Sequence, residues 1–142
     1  MSAEFFLDTS ILVYSFDDTV SVKRDNACDL IARALWQGNG VISWQVVREF
    51  LNVALHKWEK PMTPGDANLF LNSTLEPLCA IYPSPTLWCA ALSLQMESGY
   101  RFYDSLIVAA ALQCGARILY SEDLQHGRTF GELEIRNPFA EA

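Results

Sequence analysis

Phe5-Phe6-Leu7-Asp8-Thr9-Ser10 decides the fold of this 142-residue chain. Three apolar residues run into a carboxylate, two hydroxyl residues follow, and apolar spacing resumes at Ile11, Leu12 and Tyr14. The pattern predicts a short buried strand, an acid at its carboxyl end and a helix that begins at once. Open α/β sheets bind ligands beyond the carboxyl ends of their strands. Taken alone, Asp8 has two readings: an acid facing a ligand, or a helix cap, since Asp, Thr and Ser all bond free N–H groups of a first turn. The placement of the other acids bears on the choice.

Outward from that stretch, strands and helices alternate. Asp17-Asp18 ends the first short helix, and from Val22 to Trp36 the residues Ala27, Leu30, Ile31, Ala34 and Leu35 recur at helical spacing. Gly38-Asn39-Gly40 stops that helix with residues that tolerate positive φ. Val41-Ile42 forms a brief apolar run, and Ser43 is placed to cap a helix that turns Val46, Val47, Phe50, Leu51 and Ala54 inward. Thr63 caps a further helix starting near Pro64, with Ala67, Leu69, Phe70, Leu71, Leu75 and Leu78 as its apolar positions. Cys79 to Tyr82 reads as a strand, and the helix after Pro85 is expected to bury Trp88, Ala91, Leu92 and Leu94. Leu106 to Leu112 holds no polar residue, which predicts a helix buried nearly all round. Ile118-Leu119-Tyr120 is a strand candidate, and Leu133-Glu134-Ile135 a last edge strand, with Phe139 packed behind it. This alternation predicts an α/β fold: a short, mostly parallel twisted sheet with right-handed crossovers and helices on both faces. No repeat or linker interrupts it, so residues 1–142 are expected to form a single domain.

Composition narrows the function. Half the chain is hydrophobic (51%) and 19% is charged, which excludes wholesale disorder. No apolar run reaches the roughly 20 residues that a bilayer crossing needs, and no basic leader precedes Glu4, so a cytoplasmic protein is expected. Cys28, Cys79, Cys89 and Cys114 form no C-x-x-C pair and read as buried free thiols. With only His56 and His126, far apart in sequence, a zinc site of ordinary type is not expected, and His126 reads as a turn residue. The net charge of −7 opposes the basic footprint usual for nucleic-acid binders. Acids that hold a cation would remove the objection.

Those acids sit at the ends of apolar segments. Asp8 ends the first strand, Asp123 lies just beyond Ile118–Tyr120, Asp104 opens the apolar helix, and Glu49 lies beside the buried face of the helix after Val41-Ile42. In a parallel sheet Asp8 and Asp123 share one side; Asp104 and Glu49 reach it only if their helices start there. Such acids raise one another's pKa unless a cation intervenes. Mg²⁺ or Mn²⁺ suits an all-oxygen set, taking one or two carboxylates directly and keeping several waters. A hydrated ion of this kind activates water beside a phosphodiester and neutralises developing charge.

The order Asp8, Glu49, Asp104, Asp123 on such a chain resembles the PIN-domain ribonucleases, and within them the VapC-type toxins of toxin–antitoxin pairs. The matching motifs are Phe6-Leu7-Asp8-Thr9-Ser10, Val47-Arg48-Glu49-Phe50, Tyr103-Asp104-Ser105-Leu106-Ile107-Val108-Ala109-Ala110-Ala111, and Leu119-Tyr120-Ser121-Glu122-Asp123 ahead of Asn137-Pro138-Phe139. The resemblance implies a PIN-like three-layer sandwich and a Mg²⁺-dependent endoribonuclease, with Mn²⁺ as the alternative ion. It implies that Asp8 and Asp104 hold the metal most directly and that Glu49 and Asp123 complete the site. Thr9, Ser10 and Ser121 would bond these acids or the substrate, although a cap or turn role suits each hydroxyl equally. Glu122 competes with Asp123; the family pattern, an acid two residues after a Ser or Thr, favours Asp123. The implied partners are RNA, a cognate antitoxin and a second copy in a homodimer. Trp36, Trp44, Trp58 and Trp88 are either contact residues for such partners or core. Arg24, Lys57, Lys60, Arg101 and Arg128 are either phosphate contacts or solvated side chains.

Three other readings compete with this one. A phosphate-receiver domain needs paired acids after the first strand and a Lys after the last, and no Lys follows Lys60. A haloacid-dehalogenase-type phosphatase needs an Asp where Ser10 stands. A non-catalytic RNA- or protein-binding module of the same fold remains the alternative to the nuclease.

Overall fold

The computed structural model describes residues 3–140. In chain order its elements are β1 (Phe5–Leu7), α1 (Thr9–Tyr14), α2 (Ser21–Gln37), β2 (Gly40–Ser43), α3 (Trp44–His56) and α4 (Pro64–Phe70). A π-helical turn (Leu71–Leu75) leads into α5 (Glu76–Leu78), β3 (Cys79–Ile81), α6 (Pro85–Ser98), α7 (Phe102–Gln113), β4 (Ile118–Tyr120), β5 (Thr129–Phe130) and β6 (Leu133–Arg136). The sheet order is β3-β2-β1-β4-β6-β5, parallel except where β5 meets β6. All three residues of β1 are buried, so side chains leaving both faces of the central strand are covered by helices.

From β1 the chain moves outward to β2 and β3, then returns across the sheet to place β4 on the other side of β1. Strand order therefore reverses between β1 and β4, which opens a crevice beyond their carboxyl ends. Phe5, Phe6 and Leu7 stand level with Ile118, Leu119 and Tyr120. The residues after each strand, Asp8 and Ser121, are consequently neighbours, and the Asp8 N–H donates to the Tyr120 carbonyl at 3.0 Å.

Several sequence expectations need correction. Leu133–Arg136 is not an edge strand but lies between β4 and the two-residue β5. Residues on α2 and α6 judged buried are turned outward: Leu35, Trp88 and Leu92 are exposed, because Ala34 and the Leu87–Ala91–Leu94 row take the inner faces. Leu69 is exposed on α4 for the same reason, beside buried Ala67, and Leu112 emerges at the end of α7. The four cysteines are free, but Cys28 and Cys89 are exposed and Cys79 and Cys114 half-buried; Cys28 follows inward-facing Ala27 by one position, which carries it round the helix to the solvent side. Of the tryptophans, Trp36, Trp44 and Trp88 are exposed. Trp58 is half-buried among Phe16 and Phe50 at ring distances of 5.6 and 5.9 Å.

Candidate metal centre

Each predicted acid is brought to the crevice by a different element. Asp8 sits at the N-cap of α1, and its two readings coexist. Its Oδ1 accepts from the Thr9 N–H at 2.7 Å, while Oδ2 accepts from the Ser121 hydroxyl at 2.7 Å. Glu49 lies in the second turn of α3, where Thr9 Oγ1 donates to its Oε2 at 3.3 Å. Asp104 lies in the first turn of α7. Asp123 is three residues past β4, its N–H donating to Ser121 Oγ at 3.1 Å.

Electrostatics ties the four together. Asp8, only 7% exposed, is pushed up to about 7 by burial first; bonds from Ser121 and Thr9 oppose the rise, and the charges of Glu49 and Asp123 add to it. Asp123 is likewise raised, by burial, then by Glu122 and Asp104. The acids thus form a run in which Asp8 feels Glu49 and Asp123, and Asp123 feels Asp104. Among the described residues none of the four is in a salt bridge.

Glu122, by contrast, is already satisfied. Lys23 Nζ reaches its Oε2 at 2.5 Å while lying 4.7 Å from the Tyr14 ring centre and 5.6 Å from that of Phe139. Burial pushes the Glu122 carboxyl up, but Lys23 and Tyr14 outweigh it and hold it below its usual range. A lysine 99 residues away in sequence therefore separates the two adjacent acids, leaving Asp123 as the one without a cation.

The hydroxyls divide similarly. Thr9 and Ser121 touch the acids, whereas Ser10 Oγ accepts from the Glu122 N–H at 3.2 Å and holds the turn after β4. Of the basic residues, Arg24 is taken by Asp18 and Asp25, and Arg128 by the Ser98 carbonyl and the rings of Tyr100 and Phe130. Lys57, Lys60 and Arg101 are exposed. His126 is a turn residue, its Nδ1 accepting from the Asn137 N–H at 2.8 Å. Sequence reading missed Gln45, which contacts Glu49 from one turn earlier on α3; their i, i+4 spacing was the available signal.

Among the described residues no group of three or more His, Cys, Asp or Glu side chains is drawn tightly enough to enclose an ion. The donor set is an open one. Carboxylates that lack a cationic partner among the described residues fit a hydrated Mg²⁺ or Mn²⁺, which binds one or two carboxylates directly and the others through water.

Structures of known proteins share this architecture. VapBC2 from Rickettsia felis, bound to a DNA fragment from its promoter, matches at TM-score 0.61 and 20% identity over 94% of this chain and 97% of the other. FitAcB from Neisseria gonorrhoeae matches at TM-score 0.62 and 16% identity, covering 95% and 98%. VapC20 from Mycobacterium tuberculosis, a Sarcin-Ricin loop cleaving toxin, matches at TM-score 0.58 and 17% identity, covering 84% and 90%. No curated protein sequence matches the chain. The PIN domain family model matches residues 5–130, a span that runs from the first residue of β1 through β5 and takes in all four acids. By that match, this chain belongs to the PIN domain family.

Proposed function

We propose that this protein is a divalent-metal-dependent endoribonuclease acting as the toxin of a toxin–antitoxin pair in the cytoplasm. The observation that carries the reading is the meeting of four acids, from four separate elements, with no cationic side chain paired to any of them among the described residues. Burying Asp8 beside other acids is unfavourable for an apo protein, and a cation reverses the sign of that term. Asp8 and Asp104 would hold Mg²⁺, or Mn²⁺, most directly, with Glu49 and Asp123 acting through water. When bound, the ion supplies the positive charge and the activated water that in-line displacement at phosphorus requires.

The protein's own groups do the rest. The Ser121 hydroxyl fixes one oxygen of Asp8 and the Thr9 N–H the other, so the carboxylate cannot rotate. Thr9 Oγ1 steadies Glu49. Asp123 is exposed and its pKa is raised by burial and by Glu122 and Asp104, which supports it as the group that would take a proton from an attacking water. The likeness to a toxin that cleaves the Sarcin-Ricin loop supports an RNA substrate with an unpaired loop. An antitoxin on this reading enters the acidic crevice with Arg or Lys, by charge complementarity, and its binding weakens when all four acids are neutralised.

The deciding experiment mixes purified protein with RNA, with and without EDTA. Cleavage that needs Mg²⁺ or Mn²⁺ and falls roughly a hundredfold or more in Asp8→Asn supports the enzyme. RNA binding without cleavage would make it a binding module.

A further inference from the structure

Gln45 is 9% exposed and carries no charge, yet its side chain spans the two helices that deliver Glu49 and Asp104. Its Nε2 donates to Glu49 Oε1 at 2.7 Å and to the main-chain oxygen of Tyr103 at 3.1 Å. Both partners are pure acceptors, which fixes the orientation of the amide: only its NH₂ end can serve them. Tyr103 immediately precedes Asp104, so one nitrogen holds the α3 acid and the backbone beside the α7 acid at a set separation.

The start of α7 packs inward through Phe102, Ser105 and Leu106, but its first-turn backbone has no side-chain cap. Its N-cap residue, Arg101, makes no side-chain capping bond, and Tyr103 is exposed. Asp104 is in the first turn, where an uncapped helix frays most easily. The acid run also works against the arrangement, since mutual repulsion favours separation of the elements that carry it. Gln45 opposes that tendency without a positive charge that would compete with a metal ion.

We propose that Gln45 is a positioning residue that presets the spacing of Glu49 and Asp104 for a divalent cation. This rests on the metal-dependent reading of the same site. Residues that orient metal ligands typically contribute tenfold to a hundredfold in metal affinity.

The test is Gln45→Met, which keeps length and approximate volume while removing both donors. Mn²⁺ titration calorimetry of the full chain is expected to show affinity weakened by roughly tenfold to a hundredfold relative to wild type. RNA cleavage is expected to recover at saturating Mn²⁺. An unchanged Mn²⁺ affinity in a folded variant overturns the proposal. A second measurement needs no variant: in ¹⁵N-labelled wild type, the Gln45 side-chain NH₂ protons should exchange slowly and shift when Mg²⁺ is added. Rapid exchange and no shift would also overturn it. If wild type itself binds no Mn²⁺, the metal reading fails first and takes this inference with it; if wild type binds and Gln45→Met binds equally well, this inference alone fails.

Discussion

Asp8 retains its proton to about pH 7 in the folded, metal-free chain because burial denies its carboxylate water and Glu49 and Asp123 repel its charge. An unfolded chain releases that proton near 3.8. Across the window between these values the unfolded state binds fewer protons, so the Asp8 contribution to stability falls as pH rises from about 4 to about 7. A shift of that size corresponds to at most about 4 kcal/mol. Thermal melts in EDTA should therefore show Asp8→Asn more stable than wild type at pH 8, with the difference vanishing near pH 4. Equal melting at pH 8 would refute the account. Glu122 and Asp123, adjacent in sequence, should respond oppositely to neutralisation. Glu122→Gln removes a part-exposed pair with Lys23, costing about 1 kcal/mol or less of stability and leaving cleavage near wild type. Asp123→Asn should reduce cleavage by roughly tenfold or more. Parallel rate assays with chemical denaturation check both; similar rates for the two variants would contradict the assignment.

Short elements make this fold depend on close approaches. Gly40 begins β2 opposite Phe5, and a Cβ there would overlap the Phe5 ring and lie 2.6 Å from the Ala34 methyl on α2. Packing, not a left-handed backbone, demands this glycine, whereas Gly38, two residues earlier, has a positive φ of 66°. Gly40→Ala should destabilise the protein by about 1–3 kcal/mol, read as a lower urea midpoint at unchanged slope. The same distinction explains what the sequence could disclose. Phe5–Leu7 and Ile118–Tyr120 were legible as strands because continuous apolar runs mark buried parallel strands, and their carboxyl ends then fixed Asp8 and Asp123 on one side. Thr129–Phe130 was not legible, since two residues carry no period. Trp88 and Leu92 were misplaced because α6 is apolar on more than one side, and composition alone cannot say which side the sheet takes. Thr63 was readable as a cap, and it does accept from the Asp66 N–H at 3.1 Å. Ser43 occupies the expected N-cap of α3 but makes no capping bond. Lys23 escaped notice because its contact with Glu122 lies across the chain, and the i, i+4 spacing of Gln45 and Glu49 does not disclose the second contact, from Gln45 to Tyr103.

Across the whole molecule, apolar surface is concentrated beside the acidic crevice. Trp88, Leu92 and Met96 recur every fourth residue on α6, 48%, 54% and 89% exposed. Trp88 also borders a cavity of about 260 Å³ whose walls include Trp44, Tyr82 and Tyr103, all exposed aromatics. Arg48, lying 5.2 Å from the Trp44 ring centre, is the single charged residue among the described residues lining it. Taking about 150–250 Å² per large side chain, these six residues expose on the order of 600 Å². That exceeds or matches the largest patch on a typical monomer and approaches the roughly 800 Å² that each partner contributes to a stable interface. A ridge and a hollow side by side on one face suit a two-fold contact, in which each copy's ridge enters the other's hollow. A net charge of −7 spread elsewhere would not oppose such a contact, because the face itself is nearly uncharged. The homodimer expected for this chain should therefore close through α6. Light scattering at micromolar concentration should return twice the mass of one chain for wild type and a single-chain mass for Leu92→Glu combined with Met96→Glu. Both substitutions lie on solvent-facing positions, so circular dichroism should be unchanged. A wild type that stays monomeric, or a double variant that still dimerises, would remove α6 from the interface.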